Sequence, residues 1–181
     1  MNTEFLSAIF LDGLFAAVAA IGFAIISNPP RKALIICPLL AAVGHGLRYF
    51  LMNSTLIHMD IATASFFAAL SIGLLAIPFA RIIHCPAEVF SFPSLLPMIP
   101  GMFAYRSILA LTKFMQTTDK DASLDYIVQF WHNGSTTIFV LFALVVGAAI
   151  PVFLFPKQSF SATRLLRKLV GKSESSKKAQ R

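Results

Sequence analysis

Charge is scarce in this chain. Asp, Glu, Lys and Arg make up 13% of its 181 residues, hydrophobic residues make up 57%, and mean hydropathy is +0.76. That balance excludes an ordinary soluble domain. A net charge of +7 does not indicate nucleic acid, because the positive residues are not spread over a surface. Lys157, Arg164, Arg167, Lys168, Lys172, Lys177, Lys178 and Arg181 all lie in the C-terminal tail. Cysteine is nearly absent: Cys37 and Cys85 have no paired spacing and no metal-motif partners, and His84 beside Cys85 does not by itself make a zinc site. Both read as free thiols, and neither a metal nor a cofactor is expected. No Lys or Arg precedes the first apolar run, which carries only Glu4 at its start and so argues against a cleaved signal peptide. No nucleophile–base pair and no ligand set such as His-Glu-x-x-His stands on any apolar run, so an intramembrane enzyme is a weak reading.

What is present fits an all-α integral membrane protein. A run of about 20 apolar residues crosses the hydrocarbon core as a helix. Four runs qualify: Phe5–Ser27, Ala33–Met52, Ile61–Ile83 and Tyr126–Phe155. The last is longer than needed and is expected to start near Trp131, an interfacial residue by type. A fifth, from Phe92 to about Met115, interrupts itself with Pro93, Pro97, Pro100 and Gly101. Proline lacks the backbone donor and clashes with the preceding turn, so these three cannot share one regular helix. In lipid, the freed backbone groups must find partners in protein or trapped water. Broken helices at membrane depth therefore tend to line cavities, and in transporters they often form the substrate site.

Charge chooses the path of the broken run. Arg31 and Lys32 follow the first span and Arg81 ends the third, whereas Asn53–Asp60 holds no Lys or Arg. The loop after the broken run carries Asp119, Asp121 and Asp125 against Lys120. A full crossing puts the basic loops and the basic tail on the cytoplasmic side; a dip that returned would exchange the tail and the acidic loop. The expected fold is therefore five transmembrane helices, the fourth broken by prolines, in a domain of residues 1–156 with the N-terminus outside and the C-terminus inside. Residues 157–181 form a basic cytoplasmic tail. In that tail Ala162, Leu165, Leu166 and Leu169 keep helical amphipathic spacing beside Arg164, Arg167 and Lys168, which suits an anionic lipid surface.

Polar residues inside the spans mark the candidate site. A charge at the bilayer centre costs about 2.5–3.5 kcal/mol on insertion scales, so Asp12, Arg48 and Arg106 each need a partner or water. Asp12 falls roughly 10 Å from the outer end of its helix at 1.5 Å per residue. Arg48 and Arg106 also fall in the outer halves of their spans, so the three are expected to converge, Asp12 neutralising one arginine and leaving the other for an anion. The alternatives are that Arg48 snorkels to the nearby boundary and that Asp12 only pairs structurally. His45, between Gly44 and Gly46 and one turn before Arg48, suits either proton relay or packing. Pro100-Gly101 starts a second half-helix whose amides would carry the positive dipole end, which suits a carboxylate; Tyr105 and Arg106 would add a hydroxyl and a guanidinium. A kink serving packing alone is the other reading. Ala16/Ala20/Ala24, Ala42/Gly46 and Ala69/Gly73 give small-residue faces for close helix approach, and a homo-oligomer stays possible.

Gly22-Phe-Ala24, Asn28-Pro-Pro-Arg31, Gly44-His-Gly-Leu-Arg48 and Pro97-Met-Ile-Pro-Gly101 with Tyr105, in this order and spacing, resemble the bacterial threonine/serine exporter family. The likeness is to its second half, which many bacteria carry as a separate small subunit, and covers about Phe5 to Pro156. It implies export of threonine and serine driven by the proton motive force, or of dicarboxylates such as succinate in two-subunit systems, from the bacterial inner membrane. It also implies a larger partner subunit supplying the first half. Asp12 falls where related small subunits carry an aspartate. The likeness does not cover Arg106, which rests on the residues alone, and it does not explain the basic tail. The competing function from another class is a non-transporting membrane scaffold that assembles a partner.

Overall fold

The computed structural model describes residues 3–54 and 57–155, and these are helical throughout apart from their connections. Six α-helices follow in order: α1 (Thr3–Ser27), α2 (Ala33–Asn53), α3 (Ile61–Ile83), α4 (Glu88–Leu95), α5 (Gly101–Gln116) and α6 (Lys120–Leu154). A 3-10 turn at Leu96–Met98 joins α4 to α5. Helices α1, α2, α3 and α6 are each long and apolar enough to cross a membrane, and α4 with α5 would make a fifth crossing if the bent pair counts as one. The basic amphipathic stretch and the boundary at residue 156 lie outside the described residues.

Local chemistry sets the helix ends. Asn28 takes φ 47°, and Pro29-Pro30 cannot continue α1. Asp60 caps α3: its Oδ2 accepts from the amides of Ala62 (3.0 Å) and Thr63 (3.1 Å), and its Oδ1 accepts from the Thr63 hydroxyl. His84 closes α3 in the left-handed region at φ 61°. Asp119 caps α6. Helix α6 starts at Lys120, ahead of Trp131, and extends 35 residues, longer than one crossing needs.

Small residues bring the helices together. Gly13 lies against the Ala42 carbonyl and Gly46 against Ile9, while Phe5 packs on Tyr49 and Phe50, so α1 and α2 run antiparallel. Ala16, Ala20 and Ala24 continue the buried stripe of α1. A Cβ on Gly147 would come within 2.6 Å of the Phe66 carbonyl, and one on Gly73 within 3.0 Å of the Ala148 carbonyl. These ascending pairs make α3 and α6 parallel. The buried core collects at their junction with α2 and α4, around Leu40, Ala69, Ile72, Phe90, Met98 and Val140.

Pro93 sits inside α4, and its missing amide frees the Val89 carbonyl four residues back. The buried Cys37 thiol occupies that carbonyl at 3.7 Å, and Ser94 Oγ reaches the Cys37 carbonyl at 2.8 Å. The freed backbone thus finds its partner in α2, as lipid exclusion of water demands. From Val89 beside Cys37 to Met98 beside Arg48, the segment climbs along α2 in the same direction. At Ile99-Pro100 the axis bends by 49°, a turn far short of a reversal.

Candidate functional site

Three of the residues singled out in the sequence meet at this bend. Asp12 projects from α1 toward His45 of α2, and His45 Nδ1 lies 2.8 Å from Asp12 Oδ2. An ionised carboxylate only accepts, so the ring donates from Nδ1. One turn along α2, Arg48 Nη2 donates to His45 Nε2 at 3.4 Å, and Arg48 Nη1 donates to the Met98 carbonyl at 3.1 Å. Asp12, His45, Arg48 and the last residue of the 3-10 turn thus form one continuous chain of hydrogen bonds across three segments.

The local sequence explains the register. Gly13 and Gly46 let α1 and α2 close on each other, which brings Asp12 within reach of the ring. Gly44 leaves the space that the Ile72 and Met98 side chains fill; a Cβ there would meet both at 2.4–2.7 Å. His45 and Arg48 share a helix face at i and i+3. Met98 can present its carbonyl because Pro97 and Pro100 end the regular helix on either side of it. His45 is only 7% exposed, while the Asp12 side chain keeps 35% of its surface accessible. The relay is therefore sealed at the imidazole and open at the carboxylate.

Other expectations are corrected. Arg106 does not join Asp12 and Arg48; it lines a separate groove of ≈ 360 Å³ with Lys113, Gln129 and Asn133, between α5 and α6. A full turn and a half of helix after the bend rotates it to that side, where Ser107 also docks on the Phe130 carbonyl at 3.0 Å. Tyr105 is exposed. Pro97 is half-buried, Pro100 is buried and Gly101 is exposed at the joint. The amides expected to point freely from this half-helix are partly engaged: Gly101 donates to the Ile99 carbonyl (2.8 Å) and Phe103 to the Pro100 carbonyl (3.1 Å). Sequence reading missed Met98, whose role is carried by its backbone; its position between two prolines is the signal that would have found it.

Several helices of spanning length, closed around a chain of polar side chains at a helix break, mark a multi-pass membrane protein. The family model for the threonine/serine exporter ThrE matches residues 12–154, and the chain belongs to that family. It is 36% identical over 156 residues to an uncharacterized protein of Haemophilus influenzae, covering 86% of this chain and 50% of that one. The chain thus spans about half the length of the curated relative it matches. No solved structure matches.

Proposed function

We propose that the chain is the small subunit of a bacterial secondary exporter of small carboxylate metabolites, threonine and serine or dicarboxylates such as succinate. It works with a larger subunit supplying the other half and is driven by the proton motive force. The observation that carries this reading is Arg48. Its guanidinium stands inside a spanning helix, tied to the carbonyl of a broken one and, through His45, to Asp12. A guanidinium has five N–H donors, and two are used here, so three remain for a carboxylate. Pro97, Pro100 and Gly101 shape the opening beside it, and Asp12 offers an acceptor for a substrate ammonium. The relay also supplies a titratable group in contact with the anchor, which proton coupling requires.

The bundle sits in the inner membrane with Thr3 and Asp60 outside and Arg31, Lys32 and Arg81 inside, and the bent α4–α5 pair crosses as one span. The positive-inside tendency and the shallow bend both support this orientation. The basic tail then meets anionic lipid. A pure scaffold would favour charges sealed against each other; the accessible Asp12 carboxylate argues for a working site.

The test is efflux from proteoliposomes holding this chain with its larger subunit. Arg48→Gln is expected to lower threonine, serine or succinate flux at least about tenfold, the effect of losing one charged anchor bond, with assembly retained. Arg106→Gln is expected to have a smaller effect. Unchanged flux in Arg48→Gln would sink the assignment, and flux indifferent to an imposed pH gradient would remove the proton coupling.

A further inference from the structure

We propose that His45 is a positioning residue that holds Arg48 on the helix break only while its ring is neutral, so that a proton and a carboxylate exclude each other at this site. The inference rests on the exporter reading and says how that site would be coupled.

Its basis is the donor and acceptor count around one imidazole. The Asp12 carboxylate accepts, so Nδ1 must donate. The guanidinium has no acceptor, so Nε2 must receive the Arg48 bond through its lone pair. Only the neutral ring protonated on Nδ1 satisfies both neighbours. When Nε2 takes up a proton, a donor faces a donor at the 3.4 Å contact and two positive charges stand side by side. Asp12 gains a stronger partner in the imidazolium, while Arg48 loses one. The guanidinium is planar and rigid, so Nη2 cannot leave His45 without moving Nη1 from the Met98 carbonyl. That carbonyl belongs to the interrupted turn, and Arg48 is the side chain that holds it.

Among the described residues, the charged groups facing the ring are few. From α1 the group facing the ring is Asp12, from α2 it is Arg48, and the broken segment contributes the neutral Met98 carbonyl. Glu4 and Glu88 stand in the first turns of α1 and α4, and α3 carries no charged side chain between Asp60 and Arg81. Tyr49, next to Arg48 in sequence, packs on Phe5 instead.

The consequence is exchange. With the ring neutral, Arg48 is fixed at two points and presents its remaining donors in one orientation, while Asp12 stays open to an ammonium. With the ring protonated, Arg48 is released, Asp12 is occupied by the imidazolium, and the break loses its strap. By linkage, a carboxylate that binds the fixed guanidinium must in turn expel the proton. That is the coupling an incoming proton and an outgoing carboxylate need.

Two measurements on the full-length chain test this. Spin labels at Val43→Cys on α2 and Met102→Cys on α5, with Cys37 and Cys85 replaced by Ser, report the joint without any substrate. Their distance distribution is expected to shift or broaden between about pH 8 and about pH 5.5, the interval in which histidines change charge, and to stay fixed in His45→Gln, which can donate to Asp12 and accept from Arg48 at every pH. A pH-independent distribution, or the same shift in His45→Gln, would overturn the strap. With the larger subunit present, apparent substrate affinity is expected to fall on acidification by up to about tenfold per pH unit, and His45→Gln should bind without that dependence. Binding in His45→Gln that keeps the native pH profile would overturn the coupling alone. Absence of binding at every pH, with Arg48→Gln indistinguishable from the native chain, would instead overturn the exporter reading.

Discussion

Arg48 carries a permanent charge inside a helix whose neighbours are almost wholly apolar, and each of its named contacts is a group that needed a donor. Met98 lost its helical donor to the break, and His45 turned its lone pair away from Asp12. Unpaired buried polar groups cost about 1–3 kcal/mol each, so the arginine and the break stabilise one another. The same reasoning singles out Ser65, which is fully buried and whose hydroxyl oxygen has no partner. Thr63 and Ser71, the other two hydroxyl residues of α3, bond to Asp60 and to the Ala68 carbonyl. Ser65→Ala removes a desolvated hydroxyl and leaves nothing unpaired. It is expected to be neutral or stabilising by up to about 1 kcal/mol, read as the thermal unfolding midpoint in detergent; a loss of transport with unchanged stability would show that the hydroxyl serves the substrate path. At this scale much was legible beforehand. A charged residue in an apolar run announces itself, and Asp12 and Arg48 do come together, but the partner of Asp12 is His45, which stands between it and the arginine expected to pair with it. Arg106 was placed wrongly because its depth can be read from the sequence but its azimuth cannot: a 49° bend at Pro100 intervenes between it and the helices that hold the relay.

Helix ends and helix faces, more than hydropathy, organise the elements. Hydropathy found the four helices long and apolar enough to span, since runs of about 20 apolar residues have few alternatives. It did not show that helix α6 continues back to Lys120, where it packs on α5 through Ser107, Gly134 and the Lys113–Tyr126 contact. The small-residue spacing was a fair guide to contacts; Gly147, which it did not include, makes the closest approach to a neighbouring backbone, with the Phe66 carbonyl oxygen 2.6 Å from where a Cβ would stand. Asp60 shows an element whose stability is set by one side chain. The Thr63 hydroxyl first, and then its amide, hold the Asp60 carboxyl below the usual carboxylate range. A carboxylate whose folded pKa is depressed contributes stability above its unfolded pKa of about 3.9 and loses it as pH falls through the lower, folded value. The cap of α3 is thus complete at neutral pH and fails only in strong acid. Asp60→Ala is expected to cost about 1 kcal/mol, in the usual range for an N-cap, and Asp60→Asn much less. Unfolding of the three proteins at neutral pH checks this, and an Asp60→Ala midpoint equal to the native one would show that the cap contributes nothing.

The whole molecule is uneven at one end. The first turn of α3, Asp60–Thr63, shares a groove of ≈ 1030 Å³ with Phe103 of α5 and with α6 from Ile127 to Phe139. Residues 120–126 of α6, with the end of the antiparallel α5, therefore continue past this groove for roughly 10 Å at 1.5 Å per residue. This hairpin is apolar on its outer faces: Ile108 is 66% exposed and Val128 67%, with Met102, Met115, Leu124 and Trp131 alongside. Helices α1 to α3 already have the length of the hydrocarbon layer. If lipid surrounds them, the tip of this hairpin lies beyond it, and exposed apolar area there marks an interface with protein. The matched relative is about twice the length of the aligned region, so half of its chain has no counterpart here and must pack somewhere. If a larger subunit supplies that half, as proposed above, the hairpin is a surface it can use, with Arg106 and Lys113 in the adjoining groove facing acidic or carbonyl groups. A photoreactive phenylalanine analogue at Ile108 or Val128 in the full-length chain is expected to cross-link to the epitope-tagged larger subunit in intact cells, while the same analogue at Val18, an exposed position midway along α1, is expected to cross-link far less. Adducts between two copies of this chain, or equal yields from Val18, would assign the hairpin to a homo-oligomer or to lipid and leave the larger subunit to dock elsewhere.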